Sequence, residues 1–268
     1  MDIERYKCFG ATERNGSDAL LVCGLELSCW SIQDRQQFTI DHNANACVFV
    51  DGDESGTGSP TLDFYYPHAR SPLCLHAALA AAHHIWGRTK KRHDALSLLS
   101  SMNRQPLVFD VSTDDVYVSV ESHETDFPHM PVSKVAKLLL CDSDVFVSLP
   151  RVASVGSAKL LVEVESKDVL YSLRPDLERI VEWGRKNGIS GCFAYAQIGE
   201  SEYEGRNFNH LNETLEDAAT GVAAGALSVR LEADITLHQG RHLGNPCVIR
   251  TSRSAGRIRL GGRVARSS

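Results

Sequence analysis

Two side chains able to exchange a proton, Cys74 and His76, stand at the mouth of an alanine-rich run in SPLCLHAALAAAHHIW, residues 71–86. A helix N-terminus carries the positive end of the backbone dipole, which favours a thiolate over a thiol. Its first N–H groups have no partner inside the helix and can hold a carboxylate. A thiolate beside a carboxylate-binding site suits proton abstraction next to a substrate carboxyl group. The competing reading is a buried structural cysteine and a satisfied histidine, because free cysteine is often simply core. A second segment, NETLEDAATGVAAGALSVRL at residues 212–231, sets Asp217 and Thr220 ahead of another small-residue run. Asp217 reads either as an acid/base group or as an acidic residue favoured by the dipole. Thr220 reads either as a ligand or proton carrier or as an N-cap. The histidines make a poor metal set. His76 and His83 lie seven residues apart, about 10 Å along a helix, and His83 and His84 point to different faces.

The elements that must position these residues follow from pattern. Pro72 and the alanines set a helix at residues 74–86, apolar on nearly all sides and so enclosed by other structure. Residues 3–9, 19–23, 37–40, 46–50 and 61–66 read as strands, with a turn at Asn15-Gly16. Residues 107–111 and 116–120 read as a hairpin. DGDESGTGSP, residues 51–60, is a loop without the Lys-Ser or Lys-Thr pair of a phosphate loop. Residues 121–131 are polar, hold two prolines and read as a linker. Beyond them the pattern gives a short helix at 132–140 and strands at 145–149 and 159–165. An amphipathic helix runs from Pro175 to Asn187, with Gly188 closing it. A buried strand at 192–198, an edge or loop-bound strand at 205–208 and a helix at 219–230 follow, and 246–251 with 257–264 close the chain as a hairpin. The halves echo each other, each mostly strand with one small-residue helix. Two such helices with facing N-termini would give one cleft with two banks. Two domains are expected, residues 1–122 and 131–268, with the last strand free to return to the first domain.

Composition narrows the function classes. Apolar residues make up 43% and charged residues 23% of the 268-residue chain, the balance of a soluble globular protein. A net charge of -6 offers no basic field for nucleic acid. No apolar run approaches a membrane span, and the N-terminal MDIERYKCF is too charged for a signal peptide. A cytoplasmic location is expected, with the eight cysteines reduced. None of them forms a C-x-x-C pair, which argues against structural zinc.

The two segments together resemble those of the diaminopimelate epimerase-like superfamily, including its phenazine-biosynthesis isomerase (PhzF-like) branch and its proline racemase and hydroxyproline dehydratase branch. PLCLHAALAAA is similar to the family's P-L-C-G-H-A-T-L-A-A-A, and EDAATGVAAGAL to its E-D-P-x-T-G-S-A-x-G-A-L. QGRHLGNPCVI with RIRLGGRV resembles its C-terminal Q-G-x-x-x-G-R-P and V-x-V-G-G-x-A-x, and NGSDALLV its G-N-D or G-N-P turn. The resemblance implies an α+β fold of two similar β-barrel-like domains, each wrapped around a central helix. It implies chemistry without a cofactor. A proton is removed next to a carboxylate and returned, by racemisation, epimerisation, double-bond isomerisation or dehydration. Cys74 falls on the first catalytic cysteine of the racemases, and Thr220 or Asp217 on the second acid/base position. Leu75, His76, Gly221, Val222 and Ser17 fall on substrate-binding positions, with the carboxylate on backbone N–H groups. Two departures stand out: Leu75 replaces the family glycine, and Ala46 replaces the glutamate of S-E-T-x-F-V. The expected function is a cofactor-independent isomerase, epimerase or racemase acting on a small amino-acid-like carboxylate. The alternatives are a dehydratase of a hydroxy amino acid and a non-catalytic relative that has lost the glutamate. The expected partner is the small-molecule carboxylate, with no nucleic acid or membrane; a homodimer stays open.

Overall fold

The computed structural model describes residues 1–52, 60–89, 95–122, 130–209, 216–254 and 256–267. Most of the loop at 51–60, the middle of the linker at 121–131 and the start of the 212–231 segment lie outside the described residues. The chain divides into Met1–Ser119 with Gly261–Ser268, and Val120–Leu260. In the first unit come β1 (Asp2–Cys8), β2 (Ser17–Cys23), α1 (Ile32–Asp41), β3 (Ala46–Asp51), β4 (Thr61–Tyr66), β5 (Ala69–Ser71), α2 (Leu75–Thr89), β6 (Leu96–Ser100), β7 (Pro106–Ser112) and β8 (Asp115–Glu121). Then follow α3 (Val132–Leu139), β9 (Arg151–Ala153), β10 (Lys159–Glu163), α4 (Lys167–Ser172), α5 (Leu177–Asn187), β11 (Gly191–Gln197), β12 (Glu202–Asn209), β13 (Glu216–Asp217), α6 (Gly221–Leu231), β14 (Thr236–Gln239), β15 (Cys247–Ser254) and β16 (Arg257–Arg266).

The first unit is a closed eight-stranded barrel in the order β1-β2-β3-β4-β6-β7-β8-β16, with β16 returning to β1 through Tyr6↔Arg266 and Cys8↔Val264. Helix α2 packs against β1 to β4. Residues Ala77 to Ala82 are fully buried, which is why the run is nearly all alanine: a helix enclosed by strands has room for little else. The second unit runs β16-β15-β14-β12-β11-β10-β9, with β13 added on β12. Helix α6 packs against β9, β10 and β15. A Cβ on Gly225 would stand 2.6 Å from Val155 Cγ2, so α6 needs glycine there to approach the strands. The other face of this sheet is covered by α3, α4 and α5, through Val135, Leu138, Leu170 and Ile180.

Several expectations are corrected. Residues 37–40 are not a strand but part of α1, nucleated by a capping box in which Ser31 and Asp34 bond each other's backbone. Arg35 fixes that helix to the barrel, with two bonds to Asp51 at 2.6 and 2.7 Å and one to Asp63 at 3.1 Å. Those partners are remote in sequence, so periodicity could not show them. Residues 145–149 form no full strand: they hold the end of a 3-10 turn and a single antiparallel bridge, Phe146↔Val164, beside β10, and the next strand is β9. The segment at 205–208 is no edge: β12 lies between β11 and β14. The amphipathic helix starts at Leu177, capped by Asp176 rather than opened by Pro175. The central helices run Leu75–Thr89 and Gly221–Leu231, against the expected 74–86 and 219–230. Strands β6 and β14 and helix α4 carry no period long enough to be seen in the sequence.

Candidate functional site

At the head of α2, strand β4 and the short turn of β5 deliver Cys74 immediately before the first helical residue. Cys74 is 2% exposed. Its Sγ accepts a hydrogen bond from the Tyr66 hydroxyl at 3.3 Å and lies 3.5 Å from His76 Nδ1. A hydroxyl donor and an imidazole within reach of one thiol favour thiolate chemistry. Burial pushes the Cys47 thiol up to about 11 and the Cys192 thiol up to about 12, so both stay protonated. His76 is tethered from behind, its carbonyl accepting the Cys8 thiol at 3.1 Å. Cys8 in turn pairs with Ser17 across β1 and β2, which brings Ser17 to the same end of the barrel. Leu75 is 4% exposed, so its side chain is packed, leaving its backbone as the part that could meet a ligand. Ala46 opens β3, fully buried and opposite Ala19, with no ionisable group at that position.

At the head of α6, Asp217 Oδ2 collects donors: Asn207 Nδ2 at 2.6 Å, the Thr220 hydroxyl at 3.4 Å and Asn209 Nδ2 at 3.5 Å. Thr220 is the N-cap by position, yet its side chain caps nothing. Gln239, fully buried on β14, does the tying instead. Its Oε1 accepts the Thr220 N–H at 3.1 Å, and its Nε2 donates to the Asp217 carbonyl at 2.7 Å and to Thr220 Oγ1 at 3.1 Å. Gly240 follows with φ 77, and any Cβ there would strike the Ala218 carbonyl oxygen at 2.6 Å. The Gln-Gly pair is thus what closes the loop. Arg206 clamps the neighbouring Glu216 with two bonds, at 2.8 and 2.7 Å. The N–H groups of Gly221 and Val222 open the helix and point out of it by its geometry. Lys159 on β10 is fully enclosed; burial pulls its amine down to about 8, against the opposing pull of the Asp217 carboxylate.

The expected residues therefore gather in two groups, Ser17, Cys74, Leu75 and His76 in the first unit and Asp217, Thr220, Gly221 and Val222 in the second. Sequence reasoning missed Tyr66, Asn207, Lys159 and Gln239. Only Gln239 had a signal, as the first residue of the QGRHLG stretch. Among the described residues no three His, Cys, Asp or Glu side chains form a metal-holding group, and no helix is long and apolar enough to cross a membrane.

Comparison with known proteins adds to this geometry. The family described as phenazine biosynthesis-like protein matches residues 31–265. A protein of Deinococcus radiodurans named an uncharacterized isomerase is 29% identical over 217 residues, 74% of this chain and 70% of its own. The crystal structure of a Bacillus anthracis phenazine biosynthesis protein of the PhzF family superposes with TM-score 0.83 at 14% identity, covering 99% of this chain and 96% of that one. A hydroxyproline epimerase from Agrobacterium vitis, solved with bound trans-4-hydroxy-L-proline, superposes with TM-score 0.59 at 8% identity, covering 99% and 90%. These structures share the fold, that of the diaminopimelate epimerase-like proteins.

Proposed function

Because the chain belongs to the phenazine biosynthesis-like protein family, we propose that it is an isomerase of the epimerase or racemase type, moving a proton next to the carboxylate of a small amino-acid-like substrate. The observation that carries this reading is the Cys74 thiol set between the Tyr66 hydroxyl and the His76 ring at a helix head. The Cys74 thiolate takes the α-proton and becomes a thiol, the Tyr66 hydroxyl stabilises the thiolate by a hydrogen bond before transfer, and His76 can accept the proton from sulfur. The electron pair left on carbon spreads into the carboxylate, which backbone N–H groups at a helix head would stabilise. Asp217 is the second acid/base group. Thr220 is less suited, since its hydroxyl already donates to Asp217 and accepts from Gln239. Leu75, His76, Gly221, Val222 and Ser17 bind the substrate, mostly through backbone. No cofactor enters this chemistry. The isomerase name of the Deinococcus relative and the epimerase with the same fold support the reading.

A second reading, a non-catalytic relative, is favoured by Ala46 alone. One experiment separates the two. The protein is incubated in deuterium oxide with a panel of amino-acid-like carboxylates, and α-deuterium is read by mass spectrometry. Exchange into at least one compound, absent from Cys74→Ser, is the expected result. No exchange with any of them would favour the non-catalytic relative.

A further inference from the structure

Asn207 is fully buried on β12, directly opposite Asp217 in the register with β13. Its Nδ2 donates to Asp217 Oδ2 at 2.6 Å. Its Oδ1, also buried, has no hydrogen-bond partner among the described residues. A buried acceptor without a donor costs stability, and an apolar residue of the same shape would escape that cost. Turning the amide over is no remedy, because it would set Oδ1 against an ionised carboxylate. The pose makes sense only if the bond from Nδ2 is what the side chain is kept for.

The surroundings point the same way. Asn209 reaches the same oxygen at 3.5 Å and the Thr220 hydroxyl at 3.4 Å, both longer than the Asn207 bond. Gln239 holds Asp217 only through its backbone carbonyl. Among the charged groups nearby, Arg206 is committed to Glu216, and Lys159 spends a hydrogen bond on the Ser190 carbonyl while its charge couples to Asp217. A hydrogen bond given to a carboxylate stabilises the ionised form.

We propose that Asn207 is a positioning residue for proton transfer at Asp217, holding one carboxylate oxygen through Nδ2 and favouring the ionised form that can accept a proton. The proposal rests on the reading of Asp217 as an acid/base group. It is tested without turnover, by carboxyl-¹³C NMR titration of aspartate-labelled protein, with Asp217 assigned from its absence in Asp217→Asn. In Asn207→Leu, Asp217 binds its proton about tenfold more tightly than in the parent, and Asn209→Ala shifts it less. A midpoint unchanged in Asn207→Leu, whatever happens to thermal stability, overturns the proposal. Should Asn207→Leu fail to fold, Asn207→Ser is titrated in the same way, and the same unchanged midpoint overturns it. Deuterium exchange tests Asp217 in catalysis separately, so loss of that role leaves this measurement readable.

Discussion

The heads of α2 and α6 hold the groups proposed to exchange protons, Cys74 and Asp217, by different means. Cys74 is served by a neighbour two positions on and a strand residue eight positions back, His76 and Tyr66. Asp217 is served by residues ten and 22 positions away, Asn207 and Gln239, delivered by β12 and β14. The first arrangement is local and needs only a strand, a turn and a helix start. The second exists only once the sheet has formed. The helices differ to match: α2 is enclosed by a closed barrel and is alanine at five of the six fully buried positions 77–82, whereas α6 meets Val155 and Leu260 and needs Gly225.

The largest effect should come from the local head. Cys74→Ser keeps the size of the side chain but replaces a thiol by a hydroxyl of far higher pKa. It should lower α-proton exchange by at least ~10²-fold with an unchanged circular dichroism spectrum. An unaltered rate would make Cys74 structural, whatever its place in the fold.

The next effect lies beside the remote head. Lys159 titrates at about 8 rather than the ordinary 10.5, because burial disfavours its charge. Between those values the unfolded chain binds more protons, so this group makes stability rise with pH across that window, and below it the full cost is present. Lys159→Met should gain about 3 kcal/mol at most at pH 7, and the gain should vanish as the pH approaches the upper value. Urea unfolding at a series of pH values checks this by the difference from the parent. Parallel curves would mean that Lys159 carries no such cost.

A smaller effect is expected from Tyr66→Phe, which deletes one hydroxyl and leaves Cys74 and His76 in place. Exchange should fall roughly tenfold, with the loss greatest at low pH, where the thiolate is scarcest. An equal rate at every pH would remove Tyr66 from the account of the thiol. The smallest concerns the helices themselves. Gly87, exposed in α2, has nothing within 4 Å of a built Cβ, and alanine there should stabilise by about 0.5–1 kcal/mol. Gly225→Ala in α6 should instead destabilise by about 1–2 kcal/mol, the clash with Val155 outweighing the gain in helix propensity. Thermal melts of the two variants should move in opposite directions.

This contrast also explains what could be read in the sequence. Both small-residue helices, the hairpin of β7 and β8 and the closing strands were legible, because apolar period, small residues and turn chemistry are local. Helix α1 was misread because its apolar positions are few and its cap, Ser31 with Asp34, lay ahead of the stretch that looked strand-like. Cys74 and His76 were legible for the same reason that their head is local. Asn207 and Lys159 were not, since an asparagine or lysine inside a strand reads as a solvated face until the sheet shows it buried. Gln239 sat in a stretch marked by resemblance, but its grip on Thr220 and the Asp217 carbonyl is a property of the folded sheet.

The central claim is that each helix head supplies one proton-transfer group, and Asp217→Asn tests it most directly. With a compound that exchanges in deuterium oxide, deuterium uptake and change of configuration are followed together in parent and variant. Asparagine keeps the shape and accepts no proton at this pH. The account predicts that inversion or isomerisation falls by at least ~10²-fold, while uptake through Cys74 continues on the starting isomer. Inversion at the parental rate in the asparagine variant would contradict it and remove Asp217 from the reaction.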